Sequence, residues 1–335
     1  MNKQNTSIIT AGSSYLDIDA YACMVAMAEL LSLNGEKAIA YSNAPCNYSV
    51  CKMLMEEDQI LRELPLDFDG EAIRYIIVDV SDPEYLKDSV PLDKVIEVYD
   101  HHVGFEDYWI SRIGKGAHIE FIGAAATLIY REWKKTDMLD KMASSTAKLL
   151  IAAILDNTLN LTSSVTTQED IATFCELCKR ENIGKEWCAT YFSEVQTSIE
   201  ADLKNALFGD VKSIRENSVL PSHMGQVALW KVDSILEKKE EICEWFNSRY
   251  DSWLLNIIDI QHNCNYFVCY HAEYQRKIEQ FFDVHFEDGV AKTSVSYLRK
   301  EIIKIVSGLI VNNKLNGGNE NGKTRIYSRQ ISIVP

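Results

Sequence analysis

The chain has 335 residues, a length that predicts about two domains of ~150 residues each. Its apolar content of 47% is ordinary for a globular protein with a packed core, and no run of about 18 apolar residues predicts a membrane span. The net charge of −15 disfavours non-specific binding to nucleic acid, which requires a basic surface.

Residues 1–190 alternate predicted strands with predicted helices, a pattern typical of a parallel sheet with crossover helices. The helical run Ala20–Leu31 follows the first strand, and Thr146–Leu155 is apolar nearly all round, which indicates a buried helix. We therefore expect an α/β domain with helices on both faces of its sheet. The predicted strands are Ser7–Ala11, Lys37–Tyr41, Tyr75–Val80, Val95–Tyr99 and Ile119–Phe121.

Residues 198–335 mix predicted strands and helices differently, which favours a smaller α+β domain that acts as a lid. We place the boundary between the two domains in the polar and aromatic stretch Asn182–Gln196. An Asn- and Gly-rich run at 312–322 predicts a mobile loop. The predicted elements are the strands Gln226–Val232, Trp253–Ile260 and Tyr266–Tyr270 and the helices Val232–Arg249 and Ser294–Leu309.

Acidic residues and histidines follow three of the predicted strands of the first domain. They are Asp17 and Asp19, then Asp79, then the triplet 100–102, which reads Asp-His-His. Ligands bind outside the carboxyl ends of the strands in open α/β sheets, so we expect these groups to converge. A single strand-end aspartate is as often a helix cap, but the set favours a site for manganese, magnesium or cobalt.

These motifs resemble those of the DHH phosphoesterase superfamily, most closely the family II, manganese-dependent inorganic pyrophosphatases and their exopolyphosphatase and prune relatives. The family's Gly-His-x-x-x-Asp-x-Asp-Ala loop is matched by Gly12–Ala20, and its Asp-His-His triplet by Asp100-His101-His102. The resemblance runs nearly end to end. Weaker matches are the helix start Gly123–Ile129, the segments Ile154–Asn160 and Thr166–Asp170, the stretch Asp202-Leu203-Lys204, and the ending Ser328–Pro335 against Ser-Arg-Lys-Lys-Gln-Val-Val-Pro.

The resemblance implies roles for individual residues. It implies that one or two manganese ions bind to Asp17, Asp19, Asp79 and His101, with Asp79 bridging if two are present, and that magnesium or cobalt could replace manganese. Asp156 or Asn157 would complete a second site. The phosphate-binding residues would be His102, Lys204 and Arg329, and the nucleophile would be a water whose pKa the metal lowers.

Three departures from the family pattern leave an alternative open. Ser13 stands at a metal-binding histidine, Asn157 at an aspartate and Gln330 at a lysine, and each change removes affinity for metal or phosphate. The leading hypothesis is hydrolysis of a phosphoanhydride, with pyrophosphate the first candidate substrate and short polyphosphate the second. The alternative is a catalytically weakened relative that binds a phosphometabolite or a protein partner.

The remaining expectations concern location and partners. The polar start of the chain and its nine scattered cysteines favour a reducing, cytoplasmic location. A small phosphate is the expected partner, nucleic acid and membrane are not, and a homodimer is left open.

Overall fold

The computed structural model of the chain describes residues 5–12, 15–55, 58–64, 72–214 and 219–307, and within these ranges the chain forms two five-stranded sheets. The first sheet is parallel throughout, with the order β2-β1-β3-β4-β5. Its strands lie within three residues of the predicted ones, because their apolar runs mark them in the sequence. They are β1 (Asn5–Thr10), β2 (Lys37–Ala40), β3 (Ala72–Val78), β4 (Val95–Asp100) and β5 (Ala117–Ile119).

Helices cover both faces of this sheet, as predicted. Neighbouring residues of a strand point to opposite faces, so Ile8 packs in one core cluster with Trp109, while Ile9 packs in another with Leu150. The fold class expected from the sequence is therefore confirmed. The helices are α1 (Ile18–Leu33), α2 (Pro83–Leu86), α3 (Glu106–Ile113), α4 (Ala125–Lys135), α5 (Ser144–Asn157), α6 (Gln168–Glu181) and α7 (Lys185–Ala201).

The second sheet lies in the C-terminal part and has the order β10-β9-β8-β7-β6. Its strands β7 and β8 pair in parallel and the other neighbours are antiparallel, which fits the expected α+β class. The elements of this part are α8 (Leu203–Gly209), β6 (Val211–Ser213), β7 (His223–Leu229), α9 (Asp233–Leu236), α10 (Lys239–Asn247), β8 (Trp253–Asp259), β9 (Cys264–Val268), α11 (Ala272–Phe281), β10 (Val290–Lys292) and α12 (Arg299–Val306).

The structure differs from the sequence-based prediction in the helices of this second part. The helix predicted over Val232–Arg249 is split into α9 and α10, and the helix predicted from Ser294 begins only at Arg299. The later start of α12 has a local cause, because side chains of β8 and β9 bind the backbone of Tyr297. The predicted loop at 312–322 lies outside the described residues.

A continuous helix, α7, occupies most of the stretch in which the domain boundary was predicted. Two of the three aromatic residues in this stretch, Tyr191 and Phe192, are buried in the core, where the ring of Phe192 stacks on that of Trp230 with centroids 5.4 Å apart. The two sheets are thus connected through a packed helix. The limits proposed for the two domains, 1–190 and 198–335, stay a prediction. In the described ranges no helix has the length and apolarity needed to cross a membrane.

Candidate metal centre

The groups at the ends of β3 and β4 meet at the carboxyl edge of the first sheet. The backbone N–H of Asp79 donates to the carbonyl of Tyr99 at 2.8 Å, so the end of β3 lies beside the end of β4. Asp79 has a positive φ of 58°, an unusual conformation that directs the chain out of the strand. One ligand atom from each of four residues lies within 4.8 Å of the others: Asp79, Asp100, His101 and His102.

Asp100 organises the Asp-His-His triplet through a single oxygen. Its Oδ1 accepts hydrogen bonds from the backbone N–H groups of His101 at 2.8 Å and His102 at 3.1 Å, and it lies 2.9 Å from His102 Nδ1. Burial acts to raise the pKa of Asp100, but the hydrogen bonds from His102 hold it below its ordinary value. Asp100 is therefore an ionised carboxylate that fixes the His102 ring.

His101 is prepared to act as a metal ligand. Its Nδ1 lies 3.2 Å from the carbonyl oxygen of Ile122, so Nδ1 carries the proton and Nε2 keeps its lone pair. Nε2 lies 3.4 Å from Asp79 Oδ1. Burial, and then the neighbouring His102, lower the pKa of His101 to about 4, so its ring is neutral at pH 7. A carbonyl that orients the second nitrogen of a ligating histidine is the usual support in metal sites.

Two buried carboxylate oxygens of the cluster, Asp79 Oδ1 and Asp100 Oδ2, have no hydrogen-bond partner in the described part of the chain. Burial raises the pKa of Asp79 well above its ordinary value, and the charges of Asp19 and Asp17 raise it further. Unpartnered carboxylate oxygens beside a neutral imidazole fit a divalent cation, which would satisfy them and relieve the repulsion between the acids. The residues present are thus suited to manganese or magnesium.

Asp17 and Asp19 both lie at the start of α1, but their surroundings differ. Asp17 is the N-cap of α1 and accepts a hydrogen bond from Ala20 N at 2.9 Å. Asp19 is completely buried, and its two oxygens accept from Ala125 N and Ala126 N, each at 2.8 Å, and from the amide nitrogen of Asn157. Burial, and then the charge of Asp17, raise the pKa of Asp19 to about 7.

Asp156 and Asn157 form the last turn of α5 and point to different partners. Asp156 Oδ1 accepts a hydrogen bond from the hydroxyl of Tyr191 at 3.0 Å, whereas Asn157 contacts Asp19. Burial raises the pKa of Asp156 to about 7. The sequence left open which of the two residues faces the acidic cluster, and the structure gives the contact with Asp19 to Asn157. The assignment of Asp156 as a metal ligand stays a prediction.

Neither of the two positive residues predicted to bind phosphate has a contact with the cluster in the described part of the chain. Lys204 is exposed on α8, and its ammonium lies 5.3 Å from the centre of the Trp245 ring. Arg329 lies outside the described residues, as do Ser13 and Gln330. The roles of Lys204 and Arg329 therefore stay predictions.

Lys300, at the start of α12, is a basic residue near the cluster that the sequence analysis missed. Its side chain is exposed at the surface, yet partial desolvation lowers its pKa, which the charge of Glu301 and then those of Asp79 and Asp100 oppose. Lys300 in turn helps to lower the pKa of His101. Its neighbour Arg299 forms an ion pair with Asp210 at 2.6 Å and supports this end of the helix. No local pattern in the sequence marks Lys300 as part of the site.

Comparison with known proteins finds relatives along most of the chain. A probable manganese-dependent inorganic pyrophosphatase of Staphylococcus epidermidis is 24% identical over 319 residues, covering 88% of this chain and 96% of that protein. A protein of the same description from Staphylococcus haemolyticus is 23% identical over 312 residues, with coverage of 88% and 96%. No family model matches the chain.

A solved structure extends the likeness to three dimensions. The Methanococcus jannaschii protein, a candidate family II inorganic pyrophosphatase, superposes with a TM-score of 0.62 at 20% identity, covering 90% of this chain and 98% of that one. A likeness at this identity concerns the fold, which is that of the family II pyrophosphatases. The resemblance to the DHH phosphoesterases seen in the sequence is thereby confirmed, with manganese-dependent inorganic pyrophosphatases among the relatives of this chain.

Proposed function

We propose that the chain is a manganese-dependent phosphoanhydride hydrolase with inorganic pyrophosphate as its first substrate. The observation that carries the proposal is the pair of buried, unpartnered oxygens of Asp79 and Asp100 beside the neutral ring of His101. Carboxylate oxygens are ligands suited to manganese and magnesium, and a single imidazole nitrogen is compatible with manganese. The description of the relatives as probable manganese-dependent inorganic pyrophosphatases supports the same reaction class.

Different residues have different roles at this centre. Asp79 and His101 would hold the ion, which would supply positive charge and lower the pKa of water. The ligand role predicted for Asp17 stays a prediction. His102 is 58% exposed at its side chain while Asp100 holds its Nδ1, so its Nε2 side can meet a phosphate. Lys300 adds a positive charge next to the acids and can neutralise phosphate oxygens as the anhydride bond breaks.

Phosphate release from pyrophosphate tests the proposal directly. We expect release with Mn²⁺, slower release with Mg²⁺ and none in EDTA. Short polyphosphate should be tried in parallel, and a phosphate monoester serves as a substrate that should not be cleaved. Asp79→Asn, which keeps the shape of the side chain but loses its charge, should reduce release to background. Wild-type turnover in EDTA, or full activity of Asp79→Asn, would contradict the proposal.

The same assay addresses the alternative of a weakened relative that only binds phosphate compounds. The contact between Asn157 and Asp19 motivates this alternative, since a neutral amide there replaces a charged ligand. Tight binding of a non-hydrolysable pyrophosphate analogue in calorimetry, combined with no phosphate release at high protein concentration, would favour it.

A further inference from the structure

The carboxylate of Asp19 is saturated by donors of the protein itself. Oδ1 accepts hydrogen bonds from Ala126 N at 2.8 Å and from Cys23 Sγ at 3.5 Å, and Oδ2 accepts from Ala125 N at 2.8 Å and from the Asn157 amide. A carboxylate offers about four lone-pair positions, and all of them are used here. An ion could bind to Asp19 only by displacing one of these donors.

Two of the donors show that Asp19 has a structural role. Ala125 and Ala126 begin α4, and the N-cap residue of this helix, Ala124, provides no side-chain cap. Asp19 reaches across from α1 and caps α4 in its place, where the partial positive charge of the helix N-terminus stabilises a carboxylate. The position of Asp19 is therefore explained without an ion.

Asn157 completes this arrangement at the position where the family pattern has an aspartate. An aspartate there would place a second carboxylate within hydrogen-bonding distance of Asp19, and two such groups need a shared proton or a cation between them. The amide of Asn157 is neutral and donates an N–H to Asp19, so the pair is stable as it stands. Asp79 and His101 differ, since each keeps a lone pair without a hydrogen-bond donor in the described residues.

We infer that the centre binds one divalent ion, which Asp79 and His101 hold. In place of a second ion, the amide of Asn157 binds the carboxylate of Asp19. The inference rests on the proposed metal dependence but not on the identity of the substrate. Asp19 then has a structural role in the site and is not a metal ligand. Asn157 limits the site to one ion.

The number of ions bound to the full chain tests the inference without substrate. Metal-free protein is titrated with MnCl₂ and followed by calorimetry, by elemental analysis after desalting and by electron paramagnetic resonance. We expect one manganese per chain and the spectrum of an isolated ion. Two ions per chain, or a spectrum showing exchange coupling, would overturn the inference and leave the proposed reaction intact. No bound ion at all would instead overturn the proposed metal dependence.

Substitutions then test the part played by Asn157. Asn157→Asp should bind a second ion and give a coupled spectrum, whereas Asn160→Asp, which adds the same charge three residues later, should stay at one ion. A folded Asn157→Asp that still binds one ion would overturn the role of the amide. If that variant does not fold by circular dichroism, Asp19→Asn decides. It should keep one ion with an affinity within a few-fold of wild type, and a loss of tenfold or more would make Asp19 a ligand.

Discussion

The side-chain amide of Asn265 binds both backbone groups of Tyr297. Tyr297 N donates to Asn265 Oδ1 at 2.8 Å, and Asn265 Nδ2 donates to Tyr297 O at 2.7 Å. Asn256 Nδ2 donates to the same carbonyl at 3.0 Å, and both asparagines are completely buried in the second sheet. Tyr297 stands three residues before Lys300, so this contact fixes the segment that leads into α12 and Lys300.

Asn265→Ala should therefore affect substrate use as well as stability. Loss of the amide removes the acceptor of the Tyr297 N–H, while the Tyr297 carbonyl keeps its hydrogen bond from Asn256, and we expect a loss of about 1–3 kcal/mol in the free energy of unfolding. The KM for pyrophosphate should rise while Mn²⁺ affinity stays the same, because the ion is held from the other sheet. Asn205→Ala, at an exposed position of α8, is the control. A destabilised variant with an unchanged KM would show that the contact does not position Lys300.

Lys300→Met should lower kcat/KM for pyrophosphate by roughly tenfold to a hundredfold. A hydrogen bond to a charged group contributes about 1.5–3 kcal/mol, and each ~1.4 kcal/mol corresponds to a factor of ten in rate. Mn²⁺ affinity should not fall, since a positive charge near the ion is removed. Lys304→Met, one helical turn further along α12, should have little effect. Equal rates for the wild type and Lys300→Met would remove Lys300 from the mechanism.

Lys204 and Arg329 can be tested in the same assay as predicted phosphate-binding residues. Lys204→Met and Arg329→Ala should each lower kcat/KM and leave Mn²⁺ binding intact if they contact phosphate. Because the ammonium of Lys204 lies near Trp245, a large effect would require its side chain to turn toward the centre when substrate binds. If Lys204→Met has the wild-type kcat/KM and Lys300→Met has a reduced one, the phosphate contact belongs to Lys300.

Without metal, the protein should lose stability as the pH rises from about 4 to 8. Burial raises the pKa of Asp156 from 3.8 to about 7. The folded state therefore holds a proton that the unfolded chain has released, so the stability this acid contributes is full below pH 3.8 and is lost as the pH rises through about 7. Each pKa unit corresponds to up to about 1.4 kcal/mol.

Melting temperatures at pH 5 and pH 8, measured in EDTA and in MnCl₂, check this prediction. Mn²⁺ should raise the melting temperature more at pH 8, because the ion requires deprotonated carboxylates. Asp156→Asn should flatten the pH dependence in EDTA, since its buried acid is gone. The same fall in melting temperature for wild type and Asp156→Asn would show that other groups cause it.

Asp170 connects two sequence motifs and should be essential for stability. Its carboxylate accepts hydrogen bonds from Gly123 N at 2.9 Å, from Thr127 Oγ1 at 2.6 Å and from Thr167 N at 2.7 Å. Asp170→Ala leaves several buried donors unpaired and should cost roughly 2–4 kcal/mol. Gly123→Ala should also destabilise, because an added Cβ would lie 2.6 Å from Asp170 Oδ2. Denaturant unfolding measures both, and near wild-type stability would contradict the packing argument.

The sequence predicted most of the first sheet and the strand-end groups at its edge. Asp79 and Asp100 follow strands whose apolar runs are clear, and parallel strands bring their carboxyl ends together whatever lies between them. The helices of the second part were predicted less well. The start of α12 depends on the bonds between Asn265 and Tyr297, a contact between residues far apart in the chain that no local pattern reveals.

Two features of the centre could not be predicted from the sequence. Adjacent residues of a helix point about 100° apart, so only one of Asp156 and Asn157 can face Asp19. The rotation of α5 about its axis decides which one, and the structure shows that it is Asn157. Lys300 stands in a helical run with ordinary surface character, and only the packing of α12 brings it near Asp79 and Asp100.

The centre draws on strands β1, β3 and β4, so its ligands are together only after sequence-distant strands have paired. The unfolded chain has no such site, and an ion that binds only the folded state stabilises it by about 2.7 kcal/mol at a free concentration a hundred times its dissociation constant. The lifetime of the chain under protease attack should then follow the supply of free manganese. Scarcity of the metal would lower not only the rate of each molecule but also the number of molecules that survive.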